Sequence, residues 1–301
     1  MLDYRTRPLR SVLYMPASNA KAIEKARSLA CDAVILDLED AVAPSEKDSA
    51  RSRVVGAVQA GGFGYRQVVV RINGLDTPWG AADIAALADV QPDAILAPKV
   101  STADDVRRYD ALMAPFPART HLWIMIETAR SIFRIEEIAD AASNTRLAAF
   151  VMGTNDICKE TNARMTNGRA ALLPQLSLSV SAARMAGLAI MDGVYNDLQD
   201  AAGLEEECCQ GLEFGFDGKT LIHPSQIAIA NEAFSPTAAE IEFARLVITE
   251  FARPENASVG VLRVDGKMVE RLHLQQCERL VAITEILTRN AQEAAMPGRQ
   301  V

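Results

Sequence analysis

The sequence has 301 residues, is 49% apolar but only 5% aromatic, and carries a formal charge of −8. That acidity argues against nucleic acid or an anionic membrane surface as partner, because either requires a basic face to displace counterions. Five cysteines, odd in number and without a C-x-x-C pair, indicate neither a disulfide framework nor a zinc knuckle and fit a reducing cytoplasm, while three histidines leave little for a histidine-rich metal site.

The opening "MLDYRTRPLR" is charged, and the apolar run behind it is too short for a signal sequence. No stretch approaches the ~20 apolar residues needed to cross a bilayer. Apolar runs then recur as "SVLYMP" (11–16), "AVILDL" (33–38), "QVVVRI" (67–72), "AILAPK" (94–99), "LWIMIE" (122–127), "LAAFVMG" (147–153), "LAIMDGV" (188–194) and "GKTLIHP" (218–224). Between them, residues 19–30, 45–60, 81–88, 102–113, 131–142 and 172–186 have helical spacing. Eight strands alternating with helices predict an α/β fold, a (β/α)8 TIM barrel over residues 1–235. After Pro236 come a helix over 237–252, a hairpin in "ASVGVLRVDGKMVE" turning at Asp265-Gly266, a helix over 271–293 and a frayed "AAMPGRQV". This C-terminal extension, 236–301, has too little apolar material to fold alone and is expected to pack on the barrel or on a neighbouring subunit.

In a barrel the carboxyl ends of all strands meet at one face, which carries the chemistry. Four of the eight tips are acidic: Asp37-Leu38-Glu39-Asp40, Glu127, Asn155-Asp156 and Asp192. Carboxylates gathered there repel one another unless protons or a cation intervene, and oxygen ligands with little histidine point to Mg²⁺. Glu127 and Asp156, on consecutive tips, are candidate metal ligands; the alternative is that they cap the following helices. Glu39 and Asp40, with Asp37, either support the metal from an outer shell or form an ion-pair network with Arg51 or Arg71. Arg71 is anchored by a buried strand and suits a keto-acid or enolate oxygen. Lys99 is either a substrate contact kept charged by the acids or a Schiff-base lysine. Lys21 and Lys25 follow the Ser18-Asn19 tip, where a phosphate could sit, or are solvated surface lysines.

The stretches "RSVLYMPASN", "DAVILDLEDAVAPSEKDSAR", "VVVRINGLDTPWG", "ILAPKV", "IMIETARSI", "VMGTNDICKE" and "GFDGKTLIHPSQI", followed by "VDGKMVE", resemble in order the citrate lyase β-subunit-like enzymes of the HpcH/HpaI aldolase family. The resemblance implies a Mg²⁺-dependent barrel that makes or breaks the bond between an acyl-CoA α-carbon and a 2-oxo acid carbonyl. It implies Glu127 and Asp156 as metal ligands, Arg71 as substrate arginine, and Asn19, Lys25, Ile222 and His223 near CoA, with Asn155 and Lys99 as further substrate contacts. It also implies a homo-oligomer, a trimer or dimer of trimers, in which a neighbour's tail supplies an acid or base. Glu270 stands where lyases of this group carry aspartate, and Asn19 where many relatives carry arginine. The reaction expected is cleavage or formation of malyl-CoA, methylmalyl-CoA or citramalyl-CoA, with Glu270, or failing it an acid of the Glu39-Asp40 cluster, moving the proton. Thioester hydrolysis in the same pocket, or service as the β-like subunit of a larger citrate lyase complex, are the alternatives.

Overall fold

The structure, a computed structural model, describes residues 6–295. The first five residues and the end of "AAMPGRQV" from 296 on lie outside the described residues. The chain divides into two compact units, one of residues 9–234 and one that joins the N-terminal residues up to Pro8 to residues 235 onward.

The first unit is a closed barrel of parallel strands: β1 (Ser11–Pro16), β2 (Ala33–Asp37), β3 (Gln67–Arg71), β4 (Ala94–Ala97), β5 (His121–Ile126), β6 (Leu147–Met152), β7 (Ala189–Asp192) and β8 (Gly218–Leu221). Each pairs with the next, and β8 closes on β1 through Ser11–Lys219, Val12–Thr220 and Leu13–Leu221. The strands lack polar alternation because both faces are covered: every residue of β2, β3 and β4 is buried. One face meets helices and the other the barrel lumen. Val34, Ile35 and Leu36 on β2 are fully buried, each contributing about 1.5–3 kcal/mol by leaving water.

The helices are α1 (Ala20–Ala26), α2 (Lys47–Ala60), α3 (Gly80–Leu87), α4 (Ala103–Leu112), α5 (Ala129–Phe133), α6 (Ile135–Asp140), α7 (Thr154–Thr161), α8 (Leu173–Ala186), α9 (Ala201–Phe214) and α10 (Ile227–Ala233). The segment expected as one helix over 131–142 is two, broken at Arg134, whose φ of −120° is not helical. Helices α7, α9 and α10 fill the remaining places of the strand–helix alternation, outside the stretches with helical spacing in the sequence. In α7 the reason is length: "TNDICKET" is two turns, too short for a periodic apolar face.

The second unit contains α11 (Ala238–Phe251), the hairpin β9 (Val261–Val264) and β10 (Lys267–Glu270), and α12 (Arg271–Ala295). Asp265 and Gly266 turn the hairpin with φ of 47° and 76°, the positive pair of a type I′ turn. A small core of Ala244, Val247, Phe251, Val264, Val269 and Cys277 holds it. Among the described residues no helix is long and apolar enough to cross a membrane.

Candidate active site

Seven of the eight strands, all but β4, contribute at or near their tips to a cavity of 360 Å³ lined by Tyr14, Pro16, Asp37, Asp40, Arg71, Met125, Asn155, Asp156, Thr220 and Ile222, among others. Arg71 is its charged centre. Nε and Nη2 donate to the two oxygens of Asp37 at 2.7 and 2.6 Å, so that edge of the fork is spent on the protein. Nη1 stands 2.9 Å from Glu39 Oε2 and 3.6 Å from Asp40 Oδ2. The Asp37–Asp40 acids therefore pair with Arg71 and not with Arg51, which binds Asp83 and Asp48 on the far side of α2. Asp40 is the one acid of the three with an open side chain, 62% exposed.

The turn that carries these acids is held from behind by a residue the sequence did not reveal. Lys47 Nζ donates to the carbonyls of Leu38 and Glu39, both at 2.7 Å, from the first position of α2. A buried lysine that serves backbone carbonyls leaves no periodic or charge-pair signal in a sequence.

Glu127 is buried at the end of β5. Oε1 accepts the Lys99 backbone N–H at 2.6 Å, and Oε2 is buried without a partner. Burial first, and then the charge of Glu39, push its carboxyl up to about 7. The helix-cap reading does not hold for either candidate ligand. Thr128, in a reciprocal capping box with Ser131, caps α5, and α7 begins at Gly153 without any side-chain cap. Asp156 lies in the first turn of α7, where the helix dipole favours an anion. Lys99 connects the cluster, with Nζ 3.3 Å from Glu39 Oε1 and 3.7 Å from Asp156 Oδ1. Burial alone would lower its pKa, but Glu39, Glu127 and Asp156 outweigh burial and raise it, which favours the ammonium and works against a Schiff-base role.

These residues fit a divalent cation. Glu127 Oε2 is an orphaned buried oxygen, the acids around it repel, and an ammonium already lies among them. Gly153 leaves room for that oxygen, since a Cβ there would stand 2.5 Å from Oε2. Among the described residues no group of three or more His, Cys, Asp or Glu is arranged to hold a metal ion; Glu127 and Asp156 would suit an ion that takes one or two carboxylates and several waters, as Mg²⁺ does.

The expected CoA contacts lie at the rim. Asn19 caps α1, its amide oxygen accepting the Ala22 N–H at 3.0 Å, which leaves only the amide NH₂ to offer a ligand. Lys25 is exposed on the same helix. Ile222 lines the cavity; His223 is exposed, with Nδ1 accepting from the Ser225 N–H at 3.2 Å. Asn155 exchanges hydrogen bonds with Asn196. Glu270 ends β10 in the second unit, exposed, its N–H donating to His273 Nδ1 at 2.9 Å.

One acidic tip belongs elsewhere. Asp192 turns away from the lumen into the layer beneath α9, fully buried, where Arg169 Nη1 reaches both its oxygens at 2.7 and 2.8 Å and Lys219 Nζ one at 2.9 Å. Its charge is balanced by the chain, not by a ligand. A larger hollow of 480 Å³ above this network is lined by Asp197, Asp200, Glu206 and Glu207 and by no lysine or arginine, which disqualifies it for an anionic substrate.

A closed βα barrel whose mouth gathers carboxylates, an arginine and an ammonium around one cavity defines a barrel enzyme site for oxygen-rich anions. The chain belongs to the HpcH/HpaI aldolase/citrate lyase family, whose profile matches residues 10–224. It is 48% identical over 286 residues to a (3S)-malyl-CoA thioesterase of Cereibacter sphaeroides, covering 95% of this chain and 98% of that one. It is 31% identical to the L-malyl-CoA/beta-methylmalyl-CoA lyase of Rhodobacter capsulatus, over 95% and 99% of the two chains. The crystal structure of protein CitE from Mycobacterium tuberculosis in complex with magnesium, acetoacetate and coenzyme A superposes with a TM-score of 0.73 at 28% identity, covering 93% of this chain and 99% of that one.

Proposed function

We propose that the protein acts on a malyl-type β-hydroxyacyl-CoA with Mg²⁺ and that its net reaction is hydrolysis of the thioester. The observation that carries the substrate class is the cavity itself, lined by Asp156 and the Arg71 guanidinium, with the buried, orphaned Glu127 oxygen close enough to feel the charges of Glu39, Lys99 and Asp156. Hydrolysis is preferred over carbon–carbon cleavage because the likeness to the thioesterase is much the stronger, 48% against 31%. Glu270 supports the same preference. The family resemblance implies an aspartate at this position in the lyases; glutamate's added methylene displaces the carboxylate, and a shift near 1 Å costs ~100-fold at a reacting centre.

Glu127 and Asp156 would hold the Mg²⁺, which when bound supplies a Lewis acid for the acyl oxygens. Arg71, locked by Asp37, offers the acyl carboxylate its Nη1, which it shares with Glu39 and Asp40, without having to be ordered. Glu39, pinned by Arg71 and Lys99, stays in place as their counter-charge. Asp40, open to the cavity, takes a proton from water. The water oxygen bonds to the thioester carbonyl carbon, the C–S bond breaks, and the departing thiolate recovers that proton, leaving malate and CoA. Asn19, Lys25 and His223 would meet the CoA nucleotide at the rim.

The cleavage reading has its own support in the near full-length match to a lyase. Product analysis separates the two. Purified protein given malyl-CoA and Mg²⁺ is expected to release CoA and malate in equal amounts without glyoxylate. Glyoxylate appearing with acetyl-CoA would replace hydrolysis by cleavage, and no turnover of the free CoA ester would favour a subunit working on a carrier-bound acyl group.

A further inference from the structure

The cavity contains a hydrogen-bond donor that the reaction above does not use. Tyr14 stands on β1 with its ring under Arg71, 4.9 Å from the guanidinium carbon, and its hydroxyl reaches across the lumen to Met125 Sδ on β5 at 3.4 Å. A thioether is a weak acceptor, and no oxygen or nitrogen among the described residues takes the phenolic proton. Burial, opposed by Arg71, raises the Tyr14 pKa, so the phenol remains neutral and a donor. The same cavity wall carries apolar Pro16, Met125, Met152 and Ile222 beside polar Asp37, Asn155 and Thr220, and Arg71, with one edge taken by Asp37, has only Nη1 left, between Glu39 and Asp40.

We propose that Tyr14 is a specificity-determining residue whose hydroxyl donates a hydrogen bond to the carboxylate at the far end of a dicarboxylic acyl group, selecting such CoA esters over methyl-ended ones of equal length. The proposal rests on the CoA-ester reading and deepens it. A neutral donor and Arg71 Nη1, which it shares with Glu39 and Asp40, together give a carboxylate two contacts, whereas a terminal methyl gains nothing from the hydroxyl and leaves it on its weak sulfur partner. Specificity of this kind follows from a donor whose proton only the right ligand can accept. Hydrogen bonds to charged groups are the strong class, so removing this one should weaken binding by about 10- to 100-fold.

Tyr14→Phe is the discriminating variant, because it keeps the ring beneath Arg71 and removes only the O–H. The probes are two non-hydrolysable thioether analogues of CoA, one with an S-alkyl chain ending in carboxylate and one ending in methyl at the same length. Binding of each to wild type and variant is measured by calorimetry with Mg²⁺ present. The expected result is a 10- to 100-fold loss for the carboxylate analogue and none for the methyl analogue. Equal losses for both would reduce Tyr14 to a packing shelf, and an unchanged carboxylate analogue would overturn the proposal outright. Because neither probe can be hydrolysed or cleaved, these outcomes stand whichever reaction the enzyme performs. A wild type that binds the analogues but turns over no malyl-CoA would sink the hydrolytic reading alone, and one that binds neither analogue would sink both.

Discussion

Gly153 is where the proposed metal site is most exposed to a single added atom. It precedes α7, and a Cβ built on it would collide with Glu127 Cβ and stand 2.5 Å from Glu127 Oε2 and 3.2 Å from Met125 Cε. Ordinary contact begins at 3.4 Å, so the oxygen must retreat by about 1 Å, and Glu127 Cβ, fixed to the end of β5, cannot absorb the rest by rotation. The backbone does not resist alanine, because Gly153 has a φ of −98°. The clash is therefore one of packing, costing about 1–3 kcal/mol of stability, while the displaced carboxylate costs ~100-fold in rate. Gly153→Ala should fold, melt a few degrees lower, lose about two orders of magnitude in turnover of malyl-CoA and need more Mg²⁺ for half-maximal activity. Gly56→Ala is the control: on α2 with nothing within 4 Å, it should leave activity alone and add about 0.5–1 kcal/mol of stability. Wild-type turnover and Mg²⁺ dependence in a folded Gly153→Ala would show that the position of Glu127 Oε2 does not matter, and the metal assignment would fall with it.

Two further outcomes follow from buried charge. Glu127, raised from 4.5 to about 7, holds its proton more tightly in the folded protein than in the unfolded chain. Its contribution to stability is complete below about pH 4.5 and is lost as pH rises through 7, so melting temperature in EDTA should fall over that window, and Glu127→Gln should flatten the decline; a profile that rises from pH 5 to 8 in wild type but not in the variant would refute the sign. Lys219→Met removes the cation that Asp192 and Glu207 share at 2.9 and 2.6 Å in a fully buried position. Denaturant unfolding should show a loss of about 3–5 kcal/mol, and less than about 1 kcal/mol would mean that Arg169 alone suffices.

The barrel was legible because its strands are continuous apolar runs that end in polar tips, and all eight runs recur as strands with ends displaced by no more than a few residues. Doubly buried strands have the opposite weakness: without polar alternation, a sequence does not say which residues face the lumen and which the helices. Asp37 and Asp192 read alike as strand-end acids, yet Asp37 lines the cavity and Asp192 points under α9 to Arg169 and Lys219. Tyr14 was passed over for the same reason. In "SVLYMP" its neighbours Leu13 and Met15 are as apolar as Val12, but Leu13 and Met15 join the helix-side core while Tyr14 crosses the lumen. Side-chain pairing was legible only in part: the sequence offered Arg51 or Arg71 as partner of the Asp37–Asp40 acids and the structure selects Arg71, while Lys47, which acts on carbonyls, left no signal. What the residues do allow is a parity rule for this barrel. Asp37 lies opposite Arg71 in the β2–β3 register, so Ile35 and Val69, two residues back, share the lumen with them, and so does Tyr14, which pairs with Ile35. Counted in steps of two from one pocket residue on each strand, the lumen follows from the sequence, and the cavity-lining Tyr14 falls on the correct side of it.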